Sequence, residues 1–310
     1  MKHNVKITII ILAMFLVTQF IGLYVINYYS IEKVVDGNVV NVTNPNPLPY
    51  GMETPEVQEK DYAPNFISII IAFVIAISLL FLLTRIRAKF FLRIWFLFVV
   101  LVALGISFIA IFEPILPPFQ GISIMALIAV LPLALSKIYS RNILTHNFTE
   151  LFIYPGIAAI FVPLLNWIYL IVLLVLISLY DMWAVWKSGL MQKMAKYQMD
   201  TLKVFGGFFV PYLSKSQKTK LKKMRKTNSN SKGIKVNVAI LGGGDIVFSM
   251  IAAGVMLKTL GIGAAIITLF GALLGLGTLL LFSEKKKFYP AMPFISAGIF
   301  LAIGISFLIW

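Results

Sequence analysis

The sequence predicts an all-α membrane protein of nine transmembrane helices, with a cytoplasmic N-terminus and an external C-terminus, on three observations. Its 310 residues are 60% hydrophobic and only 13% charged, where a soluble domain carries about a quarter charged residues. Apolar runs long enough to cross ~30 Å of hydrocarbon recur along the chain. Basic residues gather on alternate sides of those runs.

The runs fall at 7–28, 64–83, 90–112, 116–135, 151–165, 167–186, 236–257, 260–282 and 290–310. Lys2 and Lys6 precede the first in the manner of a signal peptide. That run exceeds the usual 7–15 residues, and "INYYSIEKVV" has no small-x-small cleavage site, so it reads as a retained signal anchor. The fifth is short and broken by Pro155, Gly156 and Pro163. Small residues crowd the eighth, "LGIGAAIITLFGALLGLGTLLLF", and predict close helix packing. Between the sixth and seventh lies a hydrophilic loop. It divides the chain into a six-span N-terminal bundle (residues 1–187), the loop itself (188–235) and a three-span C-terminal region (236–310). The loop ends in "SKSQKTKLKKMRKTNSNSKGIK", a charged stretch suited to anionic headgroups. Within it 204–213, "VFGGFFVPYL", is apolar but too short to span. It reads as an interfacial segment, or more sharply as a piece that enters the bundle and covers something.

With the N-terminus inside, all of the 27 Lys and Arg except Lys33, Lys60 and Lys258 fall in cytoplasmic segments. The first external loop carries Glu32, Asp36, Glu53, Glu56, Glu59 and Asp61 instead, as the positive-inside rule requires. The net charge of +15 is therefore topology, and nucleic acid is not an expected partner. Asn41-Val42-Thr43 is an external glycosylation tripeptide of a kind common by chance. Absence of cysteine excludes disulfides, thiolate catalysis and cysteine metal sites. His3 and His146 are the sole histidines, and neither is expected to find a metal-ligand partner at helical spacing. No metal and no cofactor is expected.

Chemistry concentrates in two acids. Of five aspartates, Asp181 lies in the sixth predicted span and Asp245 in the seventh, with no basic residue in either apolar core. Ionisable residues inside a bilayer cost several kcal/mol and mark function by default. Asp181 precedes Lys187 by six residues, about 9 Å of helix, and Asp245 follows Lys235 by ten, about 15 Å of helix. Both then sit in the cytoplasmic half of the bilayer, on adjacent antiparallel spans. Two close carboxyls share a proton, one acting as base toward water and the other as acid toward a scissile carbonyl or leaving amine. On that chemistry alone the pair serves an aspartyl protease or a proton-coupled transporter equally well.

The residues around the acids separate these readings. The sixth span ends in "SLYDMWAV", with Tyr180 before Asp181. The seventh holds Gly242-Gly243-Gly244-Asp245, a G-x-G-D pattern, and the ninth opens with Pro290-Ala291-Met292-Pro293, close to P-A-L-P. All three motifs, in this order on spans six, seven and nine, resemble the presenilin and signal peptide peptidase family of intramembrane aspartyl proteases, in the manner of an archaeal homologue. The resemblance covers essentially the whole chain. It implies Asp181 and Asp245 as a catalytic dyad cutting transmembrane helices, with Tyr180, Gly242, Gly243, Gly244, Pro290, Ala291, Met292 and Pro293 shaping the site. Physically, glycine admits a close backbone and proline breaks regular helix, both needed to unwind a substrate. An extended substrate is expected to add as a strand to backbone exposed near the third motif.

Two departures stand out. Met292 replaces the usual leucine, a swap close in volume. Gly243 fills a position where the family carries a larger apolar residue tied to activity and substrate choice. The resemblance further implies transmembrane-helix peptides as substrates, membrane lipids as surroundings, a prokaryotic, archaeal plasma membrane, and no obligatory protein partner. In eukaryotic presenilins the loop after the sixth span is cut in maturation, so 204–213 covering the site is an analogy. A type IV prepilin peptidase would carry G-x-G-D-x-K, whereas Ile246-Val247 follow Asp245 here. A transporter or leak channel would be favoured by inverted repeats, and the two halves show none.

Overall fold

A computed structural model of the chain describes residues 5–29, 32–35, 38–41, 48–52, 59–86, 88–116, 121–140, 142–188, 205–212, 237–283 and 289–310. Among the described residues nine helices are long and apolar enough to cross a membrane. They are α1 Val5–Tyr29, α2 Tyr62–Arg85, α3 Lys89–Phe112, α4 Ile122–Tyr139, α5 Ile143–Phe161, α6 Trp167–Trp183, α7 Gly243–Leu260, α8 Ile262–Phe282 and α9 Met292–Ile309. Two antiparallel hairpins accompany them: β1 Glu32–Val35 with β2 Asn38–Asn41, and β3 Gly207–Tyr212 with β4 Asn237–Gly242.

Side-chain caps fix two helix starts. The Asn142 side chain accepts from the Leu144 amide at 2.9 Å and starts α5, and that of Asn166 accepts from the Tyr169 amide at 3.0 Å and starts α6. Pro293 stands in the first turn of α9, where its missing N–H costs nothing. Pro155 lies inside α5 without ending it. The helix there runs so close to α3 that a Cβ on Gly156 would lie 2.0 Å from the Ala103 carbonyl oxygen.

The centre of the bundle is α7, which packs against α1, α5, α6, α8 and α9. It is buried nearly all round, from Ile246 through Met250 and Ala253 to Leu257, as a helix enclosed by other helices must be. The large core cluster surrounds it, while α3, α4 and α5 share a second, smaller one through Val100, Leu104, Val130, Ala134 and Ile153. Most of α2 is exposed, the face a lipid-contacting helix shows.

The structure corrects the expected limits in three places, the first being α4, which runs Ile122–Tyr139 where 116–135 was expected. The fifth span was expected to begin at 151; α5 begins at Ile143, taking in His146, Asn147 and Glu150, whose polar groups are satisfied by one another and by β3. The seventh was expected to be helical from 236; residues Asn237–Gly242 form β4 instead, and the helix starts at Gly243. The β-branched and small residues of "NVAILG" suit a strand, and β3 supplies its partner. Of the apolar stretch 204–213, residues Gly207–Tyr212 are that partner strand, and Phe208 and Val210 are buried in the main core. The stretch therefore enters the bundle, which is the first half of the sharper expectation. The charged run 213–236, Val42 and Thr43 of the tripeptide, and Lys285 to Lys287 lie outside the described residues.

Candidate active site

Asp181 lies in the last turn of α6 and is 7% exposed. Its Oδ2 accepts a hydrogen bond from the Met292 amide at 3.0 Å, and the Ala291 amide points to the same carboxylate. Those amides open α9, so the acid meets the N-terminal end of a helix, where free N–H groups and the helix dipole favour an anion. One turn earlier, Ser178 donates to Ser296 at 3.0 Å and ties α6 to α9 a second time. The third motif thus acts through its backbone: Met292 is buried, Pro290 is buried, and Ala291 and Pro293 are half-buried beside the acid.

Asp245 occupies the first turn of α7, so it too sits at a helix N-terminus. The helical depth expected for it is corrected accordingly, because the residues leading to it are strand. Its carboxylate folds back over Gly242, so that a Cβ there would lie 3.1 Å from Oδ2. Gly244 is exposed and has only Phe248 near its missing side chain, at 3.9 Å. Gly243 faces the Tyr154 ring. On the far side Gln19 of α1, fully buried, donates to the Ile246 carbonyl at 3.0 Å and steadies the residue after the acid. Asp181 is near enough to act electrostatically on Asp245. Asp181 thus joins the third motif on one side to Asp245 and Gly242 on the other. Tyr180 stays apart: it is exposed and its ring packs against Trp183 at 6.2 Å.

The β3–β4 hairpin leads into this cluster, and α5 holds it. The Asn147 side-chain amide pairs with Phe209 as a neighbouring strand would, accepting from its N–H at 2.9 Å and donating to its carbonyl at 2.8 Å. His146 Nε2 bonds the Gly207 carbonyl at 2.8 Å and its ring stacks on Phe209 at 4.7 Å. Behind them Glu150 pairs with Lys137 of α4 and lies 3.5 Å from His146 Nε2. His146 thus has an acidic neighbour one turn on, contrary to expectation, but the lysine makes the group an ion-pair network rather than a metal site. Gly207 is required in β3: its φ of +154° and a Cβ position 2.5 Å from the Leu241 carbonyl oxygen both exclude a side chain. Hairpin, clamp and Gln19 were not read from the sequence. Their one sequence signal was polar residues abutting apolar runs, as in "THNFTE".

Residues of β3 bonded to α5 turn their backbone groups away from β4, which fixes the alternation of the ladder. Val238, Ile240 and Gly242, opposite Pro211, Phe209 and Gly207, then direct theirs outward on β4's other side. That edge runs straight to Asp245.

A buried acid at the end of one membrane-spanning helix and a half-buried one at the start of another fit a class: aspartic endopeptidases that work within the bilayer. The chain belongs to the signal-peptide peptidase, presenilin aspartyl protease family, whose model matches residues 47–310. Its fold is similar to that of a presenilin family intramembrane aspartate protease solved in space group C222, with a TM-score of 0.60 at 17% identity over 98% of this chain and 99% of that one. A structure described in the same words in space group P2 gives a TM-score of 0.58 at 18% identity, over 97% of each chain. No curated protein matches it in sequence. The protein is a multi-pass integral membrane protein and an intramembrane-cleaving aspartic endopeptidase.

Proposed function

We propose that Asp181 and Asp245 are the catalytic dyad and that they hydrolyse peptide bonds of transmembrane helices. The observation that carries this is the Met292 amide bonded to Asp181 at the start of α9, with Asp245 near enough to Asp181 for the two carboxyls to act on one another. One carboxylate takes a proton from water as its oxygen attacks the scissile carbonyl carbon. The other carboxyl gives its proton to the carbonyl oxygen, forming a neutral tetrahedral diol. Collapse breaks the C–N bond, and a proton returned from the dyad leaves with the amine. Tyr180, Gly242, Gly243, Gly244, Pro290, Ala291, Met292 and Pro293 shape the site, Tyr180 from a more distant position than the others.

The substrate is drawn out of helix and laid as a third strand on β4, beside Val238, Ile240 and Gly242. An open strand edge among apolar surroundings leaves backbone groups unpaired, which favours a partner chain there. Asn147 and His146 occupy the opposite edge, which supports a single docking side. The basic segments face the cytoplasm, so the dyad opens toward that side, and the loop 188–235 links the six-span bundle to the three-span region. The enzyme works in lipid without an obligatory protein partner, in a prokaryotic, archaeal plasma membrane.

Purified full-length protein in detergent is expected to cleave a single-span peptide and to be blocked by a hydroxyl-bearing transition-state analogue. Asp181→Ala and Asp245→Ala are each expected to abolish cleavage while leaving thermal unfolding near that of the wild type. Undiminished cleavage by either variant would sink the dyad assignment.

A further inference from the structure

Gly243 poses a question that the dyad leaves unanswered, because the atoms nearest its missing side chain belong to another helix. A Cβ built on it would meet the Tyr154 ring, with Cε1 and Oη each at 2.8 Å. Tyr154 belongs to the middle of α5, is 3% exposed and sets its ring edge-on to Phe208 of β3 at 6.0 Å. Its hydroxyl is buried and reaches no partner at full hydrogen-bond geometry among the described residues, with Glu150, one turn back, the acid that acts on it most strongly. Contact with β3 comes from the ring, and contact with Gly243 from ring and hydroxyl together. The ring fills the wedge between α5, β3 and the strand-to-helix junction that delivers Asp245 two residues later.

We propose that Tyr154 is a positioning residue for the dyad, occupying from α5 the volume that a side chain at 243 would take from α7. The second glycine of the three is then the counterpart of this tyrosine, and the path of the backbone from Gly242 to Asp245 is set by a ring on another helix. Because a substrate strand on β4 would reach the acids along this same backbone, Tyr154 also sets which peptide bond stands before them. That last step rests on the dyad reading; the steric pairing does not.

Four variants of the full chain test it: Tyr154→Phe, Tyr154→Ala, Gly243→Leu and the Tyr154→Ala/Gly243→Leu double. Each is assayed in detergent for thermal unfolding and, on a single-span peptide, for cleavage rate and product masses. Tyr154→Phe keeps the ring and is expected to match the wild type in all three. Gly243→Leu drives a side chain into the ring, and its cleavage is expected to fall about a hundredfold, the scale of a ~1 Å misplacement of reacting groups. In the double variant the cleavage rate is expected to recover to within about tenfold of the wild type, with shifted product masses. The unfolding temperatures are expected to be non-additive in the same sense.

The proposal is overturned if Gly243→Leu behaves as wild type, or if Tyr154→Phe is as impaired as Tyr154→Ala. It is equally overturned if the double variant unfolds at the wild-type temperature yet cleaves no faster than Gly243→Leu. Should leucine prevent folding in both backgrounds, Tyr154→Ala alone decides, and unchanged rate and masses count against it. Persistent cleavage by Asp245→Ala would remove the dyad reading, while the unfolding temperatures would still judge the pairing.

Discussion

The Asp181 carboxylate is placed against helix-terminal N–H groups, reaching from α6 to the start of α9, and Asp245 stands in the first turn of α7. An acid in hydrocarbon needs such partners, and here backbone supplies them at Asp181. It follows that the side chain of Met292 is replaceable, since its contribution to Asp181 is an amide. Met292→Leu, close in volume, is expected to cost under about 1.5 kcal/mol in unfolding and to leave product masses unchanged. The flanking glycines are expected to differ from one another. Gly242→Ala pushes a methyl against Asp245 Oδ2 and is expected to slow cleavage by moving the acid itself. Gly244→Ala meets only Phe248, at 3.9 Å, and stands in the first turn of α7, so it should unfold at or slightly above the wild-type temperature. If a substrate backbone passes over it, the same variant raises KM more than it lowers kcat.

Of the elements, the β3–β4 hairpin is the one whose stability depends most on a single side chain. Asn147→Leu removes both partners of Phe209's outer backbone groups at once. Two part-buried backbone groups left unpaired cost up to about 1–3 kcal/mol each. Faster amide hydrogen exchange at Phe209 and slower cleavage are therefore expected, with the helices unaffected; exchange unchanged from wild type would show the clamp to be idle. The same hairpin marks where sequence reasoning ran out. Eight of the nine membrane helices show in the apolar runs within a few residues of their limits, or in α4 and α7 about six, because burial in lipid demands length and little else. The exception is α5, whose first turns hold His146, Asn147 and Glu150, and polar residues read as loop until their partners across space are known. Residues 237–242 read as helix because an apolar run looks alike in both states; only pairing with β3, 25 or more residues away in sequence, makes them a strand. The acids and glycines were legible because a carboxylate in an apolar run needs no partner to be noticed. Tyr154, Gln19 and Asn147 look ordinary in sequence and gain their roles only by position in the bundle.

At the scale of the whole molecule, the proposed dyad is expected to depend on how closely α8 and α9 pack, although no hydrogen bond described joins α8 to either acid. A Cβ on Gly298 of α9 would lie 2.1 Å from the Gly271 carbonyl oxygen, and one on Gly275 of α8 would lie 2.3 Å from the Phe294 carbonyl oxygen. Backbone meets backbone there, as small residues allow in membrane bundles. Nearer its N-terminus, the same α9 presents the Met292 amide to Asp181. A rigid helix pushed away from α8 must carry that amide with it, so the seam between the helices sets the geometry of the site at a distance. Gly298→Ala is expected to cost about 1–3 kcal/mol by overpacking, a loss only partly offset by alanine's better helix propensity. Cleavage should fall further than that stability loss explains, because the displaced amide no longer meets the carboxylate. Gly277→Ala and Gly304→Ala, whose missing side chains face open space, supply the control. They gain helix propensity and meet no neighbour, so they should unfold at or slightly above the wild-type temperature and cleave normally. Equal cleavage by Gly298→Ala and these two controls would show that the α8–α9 seam supports the fold without setting the site.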